Sequence, residues 1–185
     1  MLIGGLLICG SSLSAAAADP LNRLERQVRI FEKALDTMLI DSPNFLVDSR
    51  EPTQGYYVED HGAVFTFRTS LVHKRDRGFF WCKDKDKDKQ DREEMRAKEI
   101  QHQSELYADG KEELITTILA FGEVMTRLPD GEMLDVRIRL RDALYFKEND
   151  MRRLRLTAEM NDLRSYYDGR LSEERMIERI KIEEG

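Results

Sequence analysis

The stretch Gly55–Phe67 reads GYYVEDHGAVFTF. In its second half Ala63, Phe65 and Phe67 alternate with Val64, Thr66 and Arg68, the period of a strand with one buried face. The first half, Gly55 to Glu59, is a second short strand, and Asp60-His61-Gly62 between them fits a three-residue hairpin loop. Such a loop requires a positive φ, which Gly62 supplies without steric cost. The hairpin predicts antiparallel pairing and sets His61 at an exposed tip. Yet the stretch also holds Glu59, Asp60 and His61, the only place where a histidine adjoins two carboxylates. General acid–base work needs such groups within hydrogen-bond reach and tuned by burial. A hairpin tip lacks that burial, so a noncatalytic role leads, and a hydrolase using Glu59, Asp60 and His61, with Cys82 as a further candidate, is the alternative.

Outward from the hairpin, the clearest strand follows the same rule. Leu134, Val136, Ile138 and Leu140 alternate with Asp135, Arg137, Arg139 and Arg141, and around Arg152 to Thr157 the apolar Leu154 and Leu156 alternate with Arg153 and Arg155. The two strands pair as neighbours across the loop 142–150. Their arginines share the phase that points away from the core. Arg137, Arg139, Arg153 and Arg155 are therefore candidates for binding an anionic ligand or a carboxylate-rich partner; the ordinary reading is an outer face whose arginines are met by nearby Asp and Glu.

Helices supply the other layer. Asp19 caps and Pro20 opens a first helix whose Leu21, Leu24, Val28, Phe31, Leu35 and Met38 form one apolar stripe. Pro43 ends it. Asp109, with Glu112 three residues on, reads as the cap of a second helix carrying Leu114, Ile118, Phe121, Met125 and Leu128, stopped by the turn Pro129-Asp130-Gly131. A third helix spans about 158–168 and ends at Gly169, and Ser172 caps a fourth, with Leu171 and Met176 spaced as a hydrophobic staple. Ile180 and Ile182 suggest a last edge strand. The expected fold is α+β: a mostly antiparallel sheet of four to five strands packed against three to four helices, in one domain over 19–185.

Between these elements, residues 83–94 read KDKDKDKQDREE and open a charged excursion to about 108, mobile or an exposed helix. Asp84, Asp86 and Asp88 have the spacing that begins a calcium loop, but Lys89 stands at the glycine position and Met95 at the final carboxylate position. No metal site is expected there. Elsewhere three scattered histidines without HxxxH, HExxH or CxxC spacing offer no transition-metal site, and neither GxGxxG nor a P-loop is present, so no cofactor is expected. The net charge of -6 disfavours nonspecific nucleic-acid binding, which needs a basic face.

The N-terminal MLIGGLLICGSSLSAAAADP joins an apolar run to small residues ending at Ala18, the layout of a secretory signal peptide. Cleavage there would give a periplasmic or secreted chain with Cys82 as its one thiol and no integral membrane span. Lipid attachment at Cys9 is disfavoured by the bulky Ile8 before it.

Three separated segments resemble a family of exported bacterial proteins whose role is uncharacterised. They are the hairpin Tyr57-Val58-Glu59-Asp60-His61-Gly62-Ala63-Val64-Phe65; the middle, Phe121-Gly122 and Arg127-Leu128-Pro129-Asp130 running into Val136; and the end, from Leu163 through Tyr166 and Gly169 to Leu171-Ser172-Glu173-Glu174. The resemblance implies export and a shared fold, and carries no activity. At the position of His61 the family more often has an aromatic, which lends a catalytic histidine no support. A protein partner in the cell envelope is the expected ligand class.

Overall fold

A computed structural model describes residues 20–47, 50–72 and 89–185. Helix α1 (Pro20–Ile40) presents Leu24, Val28, Phe31, Leu35 and Leu39 to the core, and Leu39 replaces the expected Met38 at the end of the stripe. Strands β1 (Phe45–Val47) and β2 (Gln54–Val58) both pair antiparallel with the long β3 (Gly62–Leu71), one after the other along the same edge. The expected hairpin is present with its loop at Glu59-Asp60-His61, one residue earlier than the sequence suggests. Asp60 (φ 60°) and Gly62 (φ 125°) both take positive φ.

Helix α2 runs unbroken from Lys89 to Phe121, so Asp109 lies inside a helix and caps nothing. Tertiary anchors hold the turns before it. The Tyr107 hydroxyl donates to Glu184 at 3.0 Å, and Gln103, almost fully buried, accepts the Tyr145 backbone N–H at 2.9 Å. Residues 89–108 of the charged excursion are thus helical, laced on the solvent side by the i,i+4 pairs Glu94–Lys98 and Gln101–Glu105. Residues 83–88, with Asp84, Asp86 and Asp88 of the incomplete calcium pattern, lie outside the described residues, as do Cys82, Asp19 and the Met1–Ala18 segment.

Gly110 sits mid-helix, where glycine normally costs about 1 kcal/mol relative to alanine. A Cβ there would fall 2.5 Å from Cε2 of the fully buried Phe45 ring, so the glycine is what lets β1 close on α2. Gly110→Ala should therefore destabilise the fold by about 1–3 kcal/mol in spite of the better helix former. Urea unfolding of the two proteins checks this, and a stabilised variant would show that the ring has room to move.

After the short 3-10 turn Gly122–Met125 the chain enters β4 (Met133–Leu140), which pairs with β3 in parallel. A parallel pair needs a long crossover, and α2 provides it. The rest is antiparallel: β4 with β5 (Arg153–Glu159), and β5 with β6 (Lys181–Glu184). Between them lie α3 (Leu144–Glu148), α4 (Met160–Tyr167) and α5 (Glu173–Arg179). Helix α4 starts two residues later than expected because Ala158 is still paired with Leu134 in the sheet. The Ser172 hydroxyl accepts from the Arg175 N–H, and Leu171 and Met176 are both buried, as the cap and staple require.

The result is a six-stranded, mostly antiparallel α+β sheet in the order β1-β3-β4-β5-β6, with β2 on the β1 side of β3. Phe65, Phe67, Leu134, Val136, Ile138, Leu154 and Leu156 are buried in one core with the apolar residues of α1, α2 and α4. By the alternation of strands, Thr66, Arg68, Asp135, Arg137, Arg139, Arg153 and Arg155 point the other way.

Candidate anion-binding site

Rows of residues cross this open face at right angles to the strands, and register fixes their members. One row is Gln54, Thr66, Arg137, Arg155 and Glu183; the next, two residues along, is Arg68, Arg139 and Arg153. In the row on the other side of the first stand Val64, Asp135 and Thr157. The five arginines share one face because each occupies the outward phase of its strand, but they do not share one environment.

Asp135 divides them. Its side chain is fully buried on the outer face, under Arg137, Arg155 and His61. Arg155 donates Nε to Oδ1 at 2.9 Å and Nη2 to Oδ2 at 2.8 Å, a two-pronged clamp, and its Nη1 reaches Glu183 at 3.1 Å. Arg137 donates through Nε at 3.0 Å and Nη2 at 2.7 Å to the same Oδ2. Nε2 of His61 stands 2.9 Å from that oxygen and, with the carboxylate ionised, is the protonated nitrogen. Burial pushes the Asp135 carboxyl up, but the hydrogen bonds from Arg155, Arg137 and His61 outweigh it and hold it at about 2. Arg155 is correspondingly held further above its ordinary value, chiefly by Asp135.

Among the described residues Arg139 and Arg153 have no such carboxylate. They lie directly opposite each other on β4 and β5, and Arg68 faces Arg139 from β3. Arg68 is met by Glu51, at 3.0 Å. Among the described residues neither Arg139 nor Arg153 makes a side-chain hydrogen bond or ion pair. Like charges directly opposite across strands destabilise a sheet by several tenths of a kcal/mol. The pair sits in an open groove of about 930 Å³ walled by 50–52 on the β2 side and 183–185 on the β6 side.

The histidine cluster of the sequence comes apart. Glu59 and Asp60 are exposed at the hairpin turn, while His61 is only 25% exposed and folds back on Asp135. His61 is therefore not an exposed tip residue: the hairpin lies alongside the start of β4, where the Met133 N–H donates to the His61 carbonyl at 2.9 Å, and this brings the imidazole over Asp135. Among the described residues Asp135 is the only side-chain acceptor for its Nε2–H, and Arg137 Nη2 at 3.4 Å is a second donor, so no nucleophile stands against it. The negative charge that could stabilise an imidazolium during catalysis is already shared by two guanidiniums. Arg141, last of the alternating run, is exposed and lies beyond the groove.

On the helix side of the same strand end, the Tyr57 hydroxyl donates to Glu132 at 2.7 Å, which pushes the phenol up to about 12. Asp135 was within reach of sequence reasoning as the one acidic residue in the outward phase of an arginine run. What could not be read was that it is fully buried, because that depends on His61 arriving from the hairpin.

Among the described residues no group of three or more His, Cys, Asp and Glu side chains is arranged to hold a metal ion, and no helix is long and apolar enough to cross a membrane. No protein-family model, curated protein or solved structure matches the chain.

Proposed function

We propose that this is an exported, noncatalytic binding protein of the cell envelope, and that it engages its partner by taking an anionic group of that partner into the Arg139–Arg153 groove. The observation that carries the reading is the contrast between neighbouring arginine pairs. Arg137 and Arg155 are neutralised by a buried carboxylate, whereas Arg139 and Arg153 face each other in an open groove without one among the described residues. Two cations on directly opposite strand positions, unneutralised among the described residues of a protein of net charge -6, form a local inversion of the surface field that favours an anionic visitor. Export is supported by the signal-like layout of Met1–Ala18, and by the likeness of the hairpin and C-terminal segments to exported proteins.

The test is recovery of partners from the envelope of the source organism with the tagged mature chain, beside an Arg139→Ser/Arg153→Ser variant. A stoichiometric partner should be captured by the natural chain, lost from the variant, and weakened by raising salt toward 1 M, where the screening length falls to about 3 Å. The variant should melt no lower than the natural chain, since the substitutions remove a repulsion. Equal recovery by both proteins would overturn the assignment of the groove.

A further inference from the structure

Resting on that reading of the groove, we infer that the group received by Arg139 and Arg153 is a compact tetrahedral dianion of the phosphate-monoester class. The register supplies the first argument. Side chains directly opposite on neighbouring strands begin about 5 Å apart, so Arg139 and Arg153 start side by side on one face, close enough for both guanidiniums to reach one centre above the sheet. Each presents a planar fork of donors. One carboxylate can engage two guanidiniums, as Asp135 does with Arg155 and Arg137 on this same face, but it brings a single charge, and there a second carboxylate, Glu183, also meets Arg155. A ligand arriving from solvent above two forks has to offer acceptors to both at once and cancel two charges. A phosphomonoester carries about -1.5 to -2 at neutral pH and three acceptor oxygens on one centre.

The groove's walls supply the second argument. Its cationic floor is short and acidic at both ends: Glu51 is held against Arg68 on one side, and Glu183 against Arg155 on the other. An extended polyanion, such as a nucleic acid, would lay its further charges on those carboxylates. A single dianionic group fits between them. The volume of about 930 Å³ is larger than a phosphate needs and lies within the range of small-molecule sites, and Gln54 and Thr66 border it as neutral hydrogen-bonding groups. The phosphate therefore enters either free or as the end of a larger organic molecule, and the same two arginines take it in either case.

Titration calorimetry of the mature chain at neutral pH and fixed ionic strength tests this with inorganic phosphate, glycerol 3-phosphate and acetate. Phosphate or glycerol 3-phosphate should bind at one site, at least about tenfold more tightly than acetate. Binding of both confirms the class and admits an esterified ligand; binding of inorganic phosphate alone confirms it and restricts the ligand to the free ion. Arg139→Ser and Arg153→Ser should each weaken phosphate at least about tenfold, and Arg139→Lys, which keeps the charge but loses the fork, should weaken it by a smaller factor. No saturable phosphate site, a phosphate site indifferent to these substitutions, or acetate binding as tightly as phosphate would overturn the inference. Should phosphate fail while the natural chain still captures an envelope partner that the double variant loses, the dianion is wrong and the groove remains the binding surface.

Discussion

Asp135→Asn should be among the most destabilising single substitutions in the protein, lowering stability by roughly 2–4 kcal/mol. Removing one member of a buried ion pair commonly costs about 3–5 kcal/mol, because the partner's charge is left without compensation. The lower range applies here because Arg137 and Arg155 keep 43% and 33% of their side-chain surface in water and are partly screened. The asparagine can still accept from one guanidinium, but it cannot serve Nε and Nη2 of Arg155, both donors of Arg137 and the His61 imidazole together. By contrast Arg139→Ser, two residues along from Arg137 on the same strand, should leave stability unchanged or raise it slightly. Urea unfolding of the three proteins separates these outcomes; equal midpoints for Asp135→Asn and the natural chain would mean the carboxylate contributes nothing to folding.

The same residue gives the fold a defined acid response. The carboxyl is held at about 2 in the folded chain against an ordinary value of 3.8. The unfolded state therefore binds the proton first as pH falls, so the stabilisation is complete above about pH 4 and is lost progressively as pH drops through 2. Each tenfold change in proton affinity is worth about 1.4 kcal/mol, so the loss is on the order of 2 kcal/mol, in line with the cost expected for the asparagine. The gap in stability between the natural chain and Asp135→Asn should thus be constant from pH 5 to 7 and narrow below pH 4.

How much of this was legible in the sequence depended on whether the cause was local. The strands at Ala63–Phe67 and Leu134–Leu140 announce themselves by alternation, and Ser172 with Leu171 and Met176 announces the last helix, because each needs only its own neighbours. Asp109 misled for the converse reason. It has the chemistry of a cap, but Gln103 and Tyr107 are fixed by Tyr145 and Glu184, dozens of residues away, and those contacts carry the helix through it. The parallel pairing of β3 with β4 is equally non-local, since alternation says which face a residue takes but not which strand lies beside it. At the site, sequence placed Arg137, Arg139, Arg153 and Arg155 on one face correctly. It could not divide them into a pair that meets a buried carboxylate and a pair that meets none among the described residues, because the pairing register makes that division: it sets Arg155 opposite Arg137, in the row beside Asp135, and leaves Arg153 opposite Arg139 one row farther away.

Gly62→Ala should match or exceed the effect of Asp135→Asn, with a loss of roughly 2–6 kcal/mol. Two independent costs fall on this one position. At φ 125° an L-residue is strained by about 1–3 kcal/mol, and the added methyl would lie 2.0 Å from the carbonyl oxygen and 2.6 Å from the nitrogen of Met133. The clash is with backbone, so no rotamer relieves it, and overpacking of this kind adds about 1–3 kcal/mol. Gly62 and Met133 are register partners at the start of the β3–β4 ladder, and the Met133 N–H donates to the His61 carbonyl. Pushing these strands apart at that end would lift His61 from Asp135 and loosen the arginine clamp along with the sheet. For a chain of this size a loss of about 4 kcal/mol lowers the melting temperature by roughly 8–16 °C. Gly131→Ala is the matched control: it has no positive φ and nothing within 4 Å of the new methyl, so it should melt within about a degree or two of the natural chain. If Gly62→Ala melts with that control, the hairpin does not cross β4 as closely as its backbone indicates, and the route by which His61 reaches Asp135 would have to be redrawn.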